Sequence, residues 1–445
     1  MRGVARCATP PSGLGRRSVI YWRFHDEGSN SPRRRGGSRG AARGRDAPAG
    51  APATSLEVRP IGDEEFRDHV RSAETASYQQ TPEWSAVRGG EWDSELVGWF
   101  DPQGRRAAVS VIRYQRLPVL GYRLAYLPMG PVVEWARVPI GEVLAALRRH
   151  LESRRVFAIR MYPQLRHRIW TSSTVRRALA DSSLTHLARV EPDAQDVVAE
   201  SLVNALRGGG WRELGDDEAV ESTQPRFTYQ VPLAGRSEDE VLAGFSKVWR
   251  KNVRSAARQG VEVRPADRGD LQELHRLHEE TAARSGFTAQ PRSYMEALWD
   301  QFSGDGPFPL DVDLARHDGE VFSGNVTVSV GGVAYAIIAG NSSHHRELRA
   351  SNAVYWAQIQ RSISRGSAAY DLGAVPPSLD ADHPHAGLLQ FKLGLGGEVA
   401  EGVGGWDLAL RPALYAAFTT LHPLYTGASA DVRRRFRPGR AGGEA

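Results

Sequence analysis

The sequence predicts a mixed α/β (α+β) fold of two tandem modules, each a mixed sheet flanked by helices. Three observations carry this. Strand-like and helix-like patterns alternate from residue 55 to residue 428. A long hairpin pattern occurs twice, over 95–114 and over 310–330. Each hairpin is followed by a further strand and a helix, so one plan repeats. The change from one copy to the next falls near 215–225. The expected organisation is a disordered basic extension over 1–54, a first module over 55–220, a second over 221–428, and a flexible basic tail over 429–445. A chain of 445 residues is long enough for a core of ordinary size in each module.

In the first half, Ser55-Leu-Glu-Val-Arg-Pro-Ile reads as a short alternating strand. Asp63 opens a helix over 63–75. Glu95-Leu-Val-Gly-Trp-Phe and Ala107-Ala-Val-Ser-Val-Ile-Arg-Tyr flank the turn Asp101-Pro-Gln-Gly, which gives the first hairpin. Strands at Arg123-Leu-Ala-Tyr-Leu and Val132-Val follow, then a helix over 140–154 and a strand at Val156-Phe-Ala-Ile-Arg-Met. Helices are expected over 171–181 and 196–207.

The second half repeats this. Phe227-Thr-Tyr-Gln-Val-Pro-Leu is a strand, and a charged helix spans 237–259. Val261-Glu-Val-Arg is a strand, followed by helices over 268–284 and 291–302. The turn His317-Asp-Gly joins the strands of the second hairpin. Val333-Ala-Tyr-Ala-Ile-Ile-Ala is the next strand, and a helix covers 349–365.

Composition narrows the function. A single cysteine, Cys7, excludes a disulfide framework and any cysteine-rich metal centre. No apolar run reaches the length of a bilayer span, which places the chain in the cytosol by default. The net charge of +5 is unevenly spread. Residues 1–54 hold 11 Arg against three acids, and 429–445 hold five Arg against two. The body between them is mildly acidic, so a polyanion can bind only at a local patch. The arginines of the tail suit anionic lipid headgroups.

No P-loop, dinucleotide fingerprint, His-Glu-x-x-His or nucleophile elbow occurs. His344-His345 and His383-Pro-His385 lack a carboxylate at ligand spacing, so no metal and no cofactor is expected. Lysine is scarce: Lys247, Lys251 and Lys392 stand among 57 basic residues. Lys247, Arg250, Lys251, Arg254 and Arg258 recur at helical spacing and share one face with no acid among them, an arrangement suited to phosphates. Lys392 lies in Gly387-Leu-Leu-Gln-Phe-Lys-Leu-Gly-Leu-Gly-Gly-Glu, read as a glycine-rich loop. A lysine there can stabilise an oxyanion on a carbonyl under attack, and its bland alternative is a stem that packs while its head reaches water.

These segments resemble those of the Fem-type (FemABX) peptidoglycan bridge-forming aminoacyltransferases over residues 56–425. Tyr370-Asp-Leu-Gly-Ala and the Lys392 segment look like the family's Tyr-Asp-Phe-Gly-Gly and Phe-Lys-x-Gly-Phe-Gly-Gly. Trp249-Arg-Lys-Asn-Val-Arg-Ser-Ala-Ala-Arg-Gln-Gly is similar to its basic helix. Tyr126-Leu-Pro-Met-Gly-Pro looks like its Tyr-x-Pro-Arg-Gly-Pro, and Gln80-Thr-Pro-Glu-Trp-Ser-Ala-Val-Arg like its Gln-x-x-x-Trp-x-x-x-Lys. Met129 departs from the usual Arg, Arg88 from Lys and Ala374 from Gly.

The resemblance implies two acetyltransferase-like (GNAT) modules, and residues 268–302 are too short for the long helical arm of some members. It implies transfer of an amino acid from aminoacyl-tRNA onto the side-chain amine of a peptidoglycan precursor pentapeptide, UDP-linked or lipid-linked. It further implies that Arg88, Tyr126 and Arg250 hold the precursor's diphosphate and nucleotide end, with Arg254 one turn on. Lys392 would stabilise charge beside Phe391, and Asp371 would lie at the cleft. Lys247, Lys251 and Arg258 would form a tRNA or phosphate patch. A monomer is expected, in the cytosol or peripheral at the inner face of an anionic membrane. Two alternatives stay open. One is a related N-acyltransferase using tRNA or acyl-CoA on a metabolite or exopolysaccharide amine. The other is a non-catalytic binding module. The absence of glycine in Arg346-Glu-Leu-Arg-Ala-Ser-Asn-Ala argues against the CoA donor.

Overall fold

The structure is a computed structural model, which describes residues 56–74, 76–89, 92–117, 121–215 and 224–420. The expected extension over 1–54 and the tail over 429–445 lie outside the described residues. In the first half the chain runs through β1 (Glu57–Pro60), α1 (Asp63–Ser72), α2 (Pro82–Val87), β2 (Asp93–Phe100), β3 (Arg106–Arg116), β4 (Arg123–Leu127), β5 (Val132–Val133), α3 (Ile140–Glu152) and β6 (Val156–Met161). It continues through β7 (Arg166–Thr171), α4 (Ser172–Leu179), β8 (Ala194–Gln195), α5 (Val197–Gly208) and β9 (Arg212–Glu213).

The second half holds β10 (Phe227–Pro232), α6 (Glu238–Gly244), α7 (Lys247–Arg258), β11 (Glu262–Pro265), α8 (Leu271–Ser285), α9 (Arg292–Phe302), β12 (Leu310–His317), β13 (Glu320–Val330) and β14 (Val333–Asn341). It ends with α10 (Ala350–Ser364), β15 (Ala369–Ala374), α11 (Ala386–Leu393), β16 (Glu398–Gly402) and β17 (Trp406–Ala409).

The expected fold class is present, and the repeat is visible in the strand pairing. In the first sheet β1, β2, β3 and β4 are antiparallel neighbours, and β4 then pairs in parallel with β6 across the α3 crossover. In the second, β11, β12, β13 and β14 are antiparallel neighbours, and β14 pairs in parallel with β15 across α10. A parallel pair needs a long crossover, and a helix supplies it each time. Between the first two strands of each repeat lie two short helices, α1 and α2 or α8 and α9. Among the described residues no coiled-coil arm is present.

The two sheets also exchange strands. The first takes β17 from the C-terminal half, between β6 and β9. The second takes β7 and β8 from the N-terminal half, with β7 against β16. The chain therefore changes sheet between β6 and β7, between β8 and β9, between β9 and β10, and between β16 and β17. Buried ion pairs cluster beside these crossings. Arg160 binds Asp407 at 2.7 Å, and Arg226 binds Glu401 at 3.1 Å while Arg168 binds the same carboxylate.

One apolar cluster packs α3 and α5 on the first sheet through Val143, Leu147, Leu202 and Leu206. A second spans both halves, joining Phe66, Val70 and Trp84 to Leu274, Leu277, Met295 and Leu298 and to the strands β12–β14. A third gathers Trp170, Tyr229, Trp249, Tyr370 and Leu389 around the second sheet. Each buried large apolar side chain contributes about 1.5–3 kcal/mol. No helix among the described residues is long and apolar enough to cross a membrane.

Two sequence expectations change here. The helix expected over 237–259 is two helices, because Phe245 turns to an extended conformation and Ser246 caps α7 through its side chain. The glycine-rich segment after Gly387 is helical from Ala386 to Leu393, so Lys392 stands in the last turn of α11 and not in a loop.

Candidate active site

Lys392 is placed by both its neighbours in sequence and the strand beneath it. Leu389 and Leu393 bury one face of α11, and Phe391 lies against Trp249, with ring centroids 5.0 Å apart, and against Tyr355 at 5.7 Å. Trp249 donates its indole N–H to the Phe391 carbonyl at 3.0 Å. Gly394 is required there, since a Cβ would stand 2.0 Å from the Trp249 ring. The lysine is 5% exposed, not water-reaching as the bland alternative had it. Its Nζ donates to the carbonyls of Leu372 at 2.7 Å and Ala374 at 2.6 Å. An ammonium has three donors, so one N–H remains for a ligand. Burial pulls its pKa down to about 8, and the Asp371 carboxylate acts in the opposite sense.

The two carbonyls converge on Nζ because Gly373 between them is left-handed, with φ of 71°. Asp371 stabilises this turn by accepting the Gly373 N–H at 2.6 Å, and its other oxygen accepts from Gln230 Nε2 at 2.8 Å. Burial pushes the Asp371 carboxyl up, and these two hydrogen bonds and the charges of Lys392 and Arg166 oppose that. Both of its oxygens are engaged within the fold, which leaves it poorly suited to taking a proton from substrate.

Arg88 ends α2 and is 8% exposed. Its guanidinium lies 4.9 Å from the Tyr294 ring centroid, so α9 of the second half covers a residue of the first. Its carbonyl accepts from Arg113 Nη2 at 3.0 Å. Arg113, itself buried, stands over Trp84 at 5.4 Å and Trp92 at 5.3 Å, and is the cross-strand neighbour of Tyr126. Tyr126 is buried among Trp92 and Tyr162, and its hydroxyl is raised by that burial, with Arg160, Arg113, Gln224 and Arg88 opposing. The fully buried Gln80 fixes the loop after Tyr126. It accepts from Val111 N at 2.8 Å and donates to the Pro128 carbonyl at 2.5 Å.

The Arg88 side and the Lys392 side meet through two tyrosines. Tyr78 and Tyr335 have ring centroids 5.7 Å apart. Tyr78 lies within electrostatic reach of both Arg88 and Asp371, and Tyr335 within reach of Asp371. Tyr126, Arg88, Tyr78, Asp371 and Lys392 are therefore linked in that order, each within electrostatic reach of the next. Phe391 packs on the apolar side with Trp249 and Tyr355.

Arg250 is placed differently. It is half-buried and donates to the carbonyls of Ala243 at 2.7 Å and Phe245 at 2.8 Å, closing the end of α6. The other members of its stripe, Lys247, Lys251, Arg254 and Arg258, are exposed on α7, whose opposite face buries Trp249 and Ala256. Among the described residues no group of histidines, cysteines and acids is arranged to hold a metal ion.

Sequence reasoning did not single out Tyr78, Arg113, Gln230, Tyr294 or Tyr335. Arg113 alone carried a signal, a charge inside the buried alternation of Val111-Ile-Arg-Tyr. The others are joined by contacts between distant segments.

The FemAB family model matches residues 61–315 and 312–423. A lipid II:glycine glycyltransferase of Staphylococcus aureus (strain COL) is 21% identical, covering 86% of this chain and all of its own length. The same-named enzyme of Staphylococcus epidermidis (strain ATCC 12228 / FDA PCI 1200) is also 21% identical with the same coverage. Among solved structures, FemX superposes with a TM-score of 0.68 at 20% identity, over 81% of this chain and 99% of that one.

Proposed function

The chain belongs to the FemAB family, and on that premise we propose that it is an aminoacyltransferase. It moves an amino acid from aminoacyl-tRNA onto the side-chain amine of a peptidoglycan precursor pentapeptide, UDP-linked or lipid-linked. The relatives named as lipid II:glycine glycyltransferases support the precursor class. The observation that carries the reading is Lys392, a buried ammonium with two N–H groups fixed on carbonyls, within electrostatic reach of Asp371 in the cluster that also contains Arg88 and Tyr126.

Arg88 and Tyr126 hold the diphosphate and nucleotide end, and Arg250 and Arg254 reach the same ligand from α7. The neutral acceptor amine attacks the ester carbonyl of the aminoacyl-tRNA. The third N–H of Lys392 meets the oxyanion that forms. When the intermediate collapses, the ribose oxygen of the tRNA leaves with the electron pair, and the amine's proton passes to it directly or through substrate groups. Asp371, with both oxygens occupied, supports the lysine electrostatically. Phe391 walls the lysine. Lys247, Lys251 and Arg258 offer an exposed basic face to the tRNA backbone. The reaction takes place in the cytosol, with peripheral contact at the inner face of the membrane where a lipid-linked precursor is used. The two sheets correspond to two modules, proposed over 55–220 and 221–428, which exchange the strands described above.

The test is transfer to precursor from a panel of charged tRNAs, read by mass spectrometry. A mass increase of one aminoacyl residue on the pentapeptide supports the reading. Transfer only from acyl-CoA, with thiol release, favours the other acyltransferase class.

A further inference from the structure

Three neighbouring strands of the second sheet bring three polar side chains into one row. Gln230 of β10 is the cross-strand partner of Asp371 on β15 and of Glu398 on β16. The pairing of β10 with β15 shifts register between Thr228 and Gln230, and a bulge of this kind re-aims the side chain beside it. Gln230 is buried, and its Nε2 donates to Asp371 Oδ2 at 2.8 Å. Its Oε1 accepts from Arg166 Nη1 at 3.4 Å, and the same nitrogen binds Glu398 at 2.6 Å. Arg166 stands on β7, the strand lent by the N-terminal half, so the strand exchange reaches Asp371 through this row.

The neighbours fix the orientation of the amide. A guanidinium can only donate, so Oε1 faces Arg166 and Nε2 faces Asp371. Asp371 then meets a donor at each oxygen, Gln230 at Oδ2 and the Gly373 N–H at Oδ1. Both bonds favour the carboxylate, against the burial that favours the neutral acid. Of the two, the bond from Gln230 is the one supplied from outside the turn. The charged and titratable groups that face Asp371 are Lys392, Arg166, Tyr78 and Tyr335, and Lys392 is itself faced by Asp371. The carboxylate serves the lysine twice. It sets an opposite charge beside a buried ammonium, and it holds the left-handed turn at Gly373 that points the Leu372 and Ala374 carbonyls at Nζ.

We propose that Gln230 is a positioning residue for transfer, acting through Asp371 to hold both the turn and the charge that aim the free N–H of Lys392. It does so without touching substrate. The proposal rests on the reading of Lys392 as the group that meets the oxyanion.

The chain holds only Lys247, Lys251 and Lys392, so NMR of the full chain labelled at lysine Cε follows Lys392 directly. Its signal is the one lost in Lys392→Ala. Four proteins are titrated with pH: wild type, Gln230→Met, Asp371→Asn and the double variant. Wild-type Lys392 is expected to titrate at about 8. Gln230→Met, unbranched and close in volume, is expected to move this midpoint down, because the Asp371 carboxyl, short of one donor, is neutral over more of the pH range. In Asp371→Asn the midpoint is already lowered, and adding Gln230→Met is expected to move it no further, since the glutamine acts through that carboxylate. In transfer assays Gln230→Met is expected to lower kcat about tenfold, the scale of one lost hydrogen bond to a charged group, with KM for precursor unchanged. An unmoved midpoint in Gln230→Met overturns the proposal. An equal further lowering in the Asp371→Asn background also overturns it, as a general distortion. If the midpoints move as expected but the wild type transfers nothing, the transfer reading itself fails and this proposal with it. Gln230→Leu repeats the comparison if the methionine variant melts early.

Discussion

In the proposed mechanism the chemistry turns on Lys392, and the burial of that residue gives the proposal a pH signature. The oxyanion needs the ammonium form, so kcat should fall as pH rises through about 8. Lys392→Arg, which stays charged, should lose that alkaline limb while transferring poorly, because its planar head places charge differently. Lys392→Ala should lower kcat by about 10²–10³ with little change in KM. Stability has its own sign. The folded pKa lies below the ordinary value of 10.5, so between about 8 and 10.5 the unfolded chain binds more protons and stability rises with pH. That rise, about 3 kcal/mol at most, should be absent from Lys392→Ala in melts taken across this range. The sequence pointed to this residue through lysine scarcity and the motif around it. The burial was hidden, because the two carbonyls that hold Nζ come from a turn at Gly373, about twenty residues earlier in the chain. Asp371 was likewise visible as part of a motif, but its engagement by Gly373 and Gln230 was not.

The helix α7 separates two roles that a single basic stripe had merged. Arg250 closes α6 through two carbonyls, so Arg250→Ala should lower the melting temperature as well as raise KM for precursor. Lys247, Lys251, Arg254 and Arg258 face solvent. Replacing Lys247, Lys251 and Arg258 with Gln should leave the melt unchanged and flatten the salt dependence of tRNA binding, by about 0.7–0.9 in slope for each phosphate no longer neutralised. A salt slope equal to wild type would remove these residues from the tRNA interface. The periodicity of the charges was readable from spacing alone. The break at Phe245 and Ser246 was not, because Phe245 is drawn into the core against Trp249 and Trp356 and this packing overrides helix continuity.

The repeated hairpins announced the duplication, and the helices α8, α9 and α10 begin and end within about three residues of the positions expected from the sequence. The strand exchange could not be read, since pairing of β7 with β16 and of β17 with β6 depends on contacts more than 200 residues apart. It follows that neither half should fold when expressed alone, as each would lack strands of its own sheet. Glu401, 2% exposed between Arg168 and Arg226, ties the exchanged strand to the body. Glu401→Gln should cost about 3–5 kcal/mol and lower the melt as a single transition. The central claim is that this fold carries aminoacyl transfer at a site containing both Lys392 and Arg88. Its most direct test is single-turnover transfer from charged tRNA to a precursor pentapeptide by wild type, Lys392→Ala and Arg88→Ala. The account predicts a precursor heavier by one aminoacyl residue with the wild type, slow transfer at saturating precursor with Lys392→Ala, and near-normal transfer reached only at high precursor with Arg88→Ala. Transfer at the wild-type rate by Lys392→Ala would contradict it.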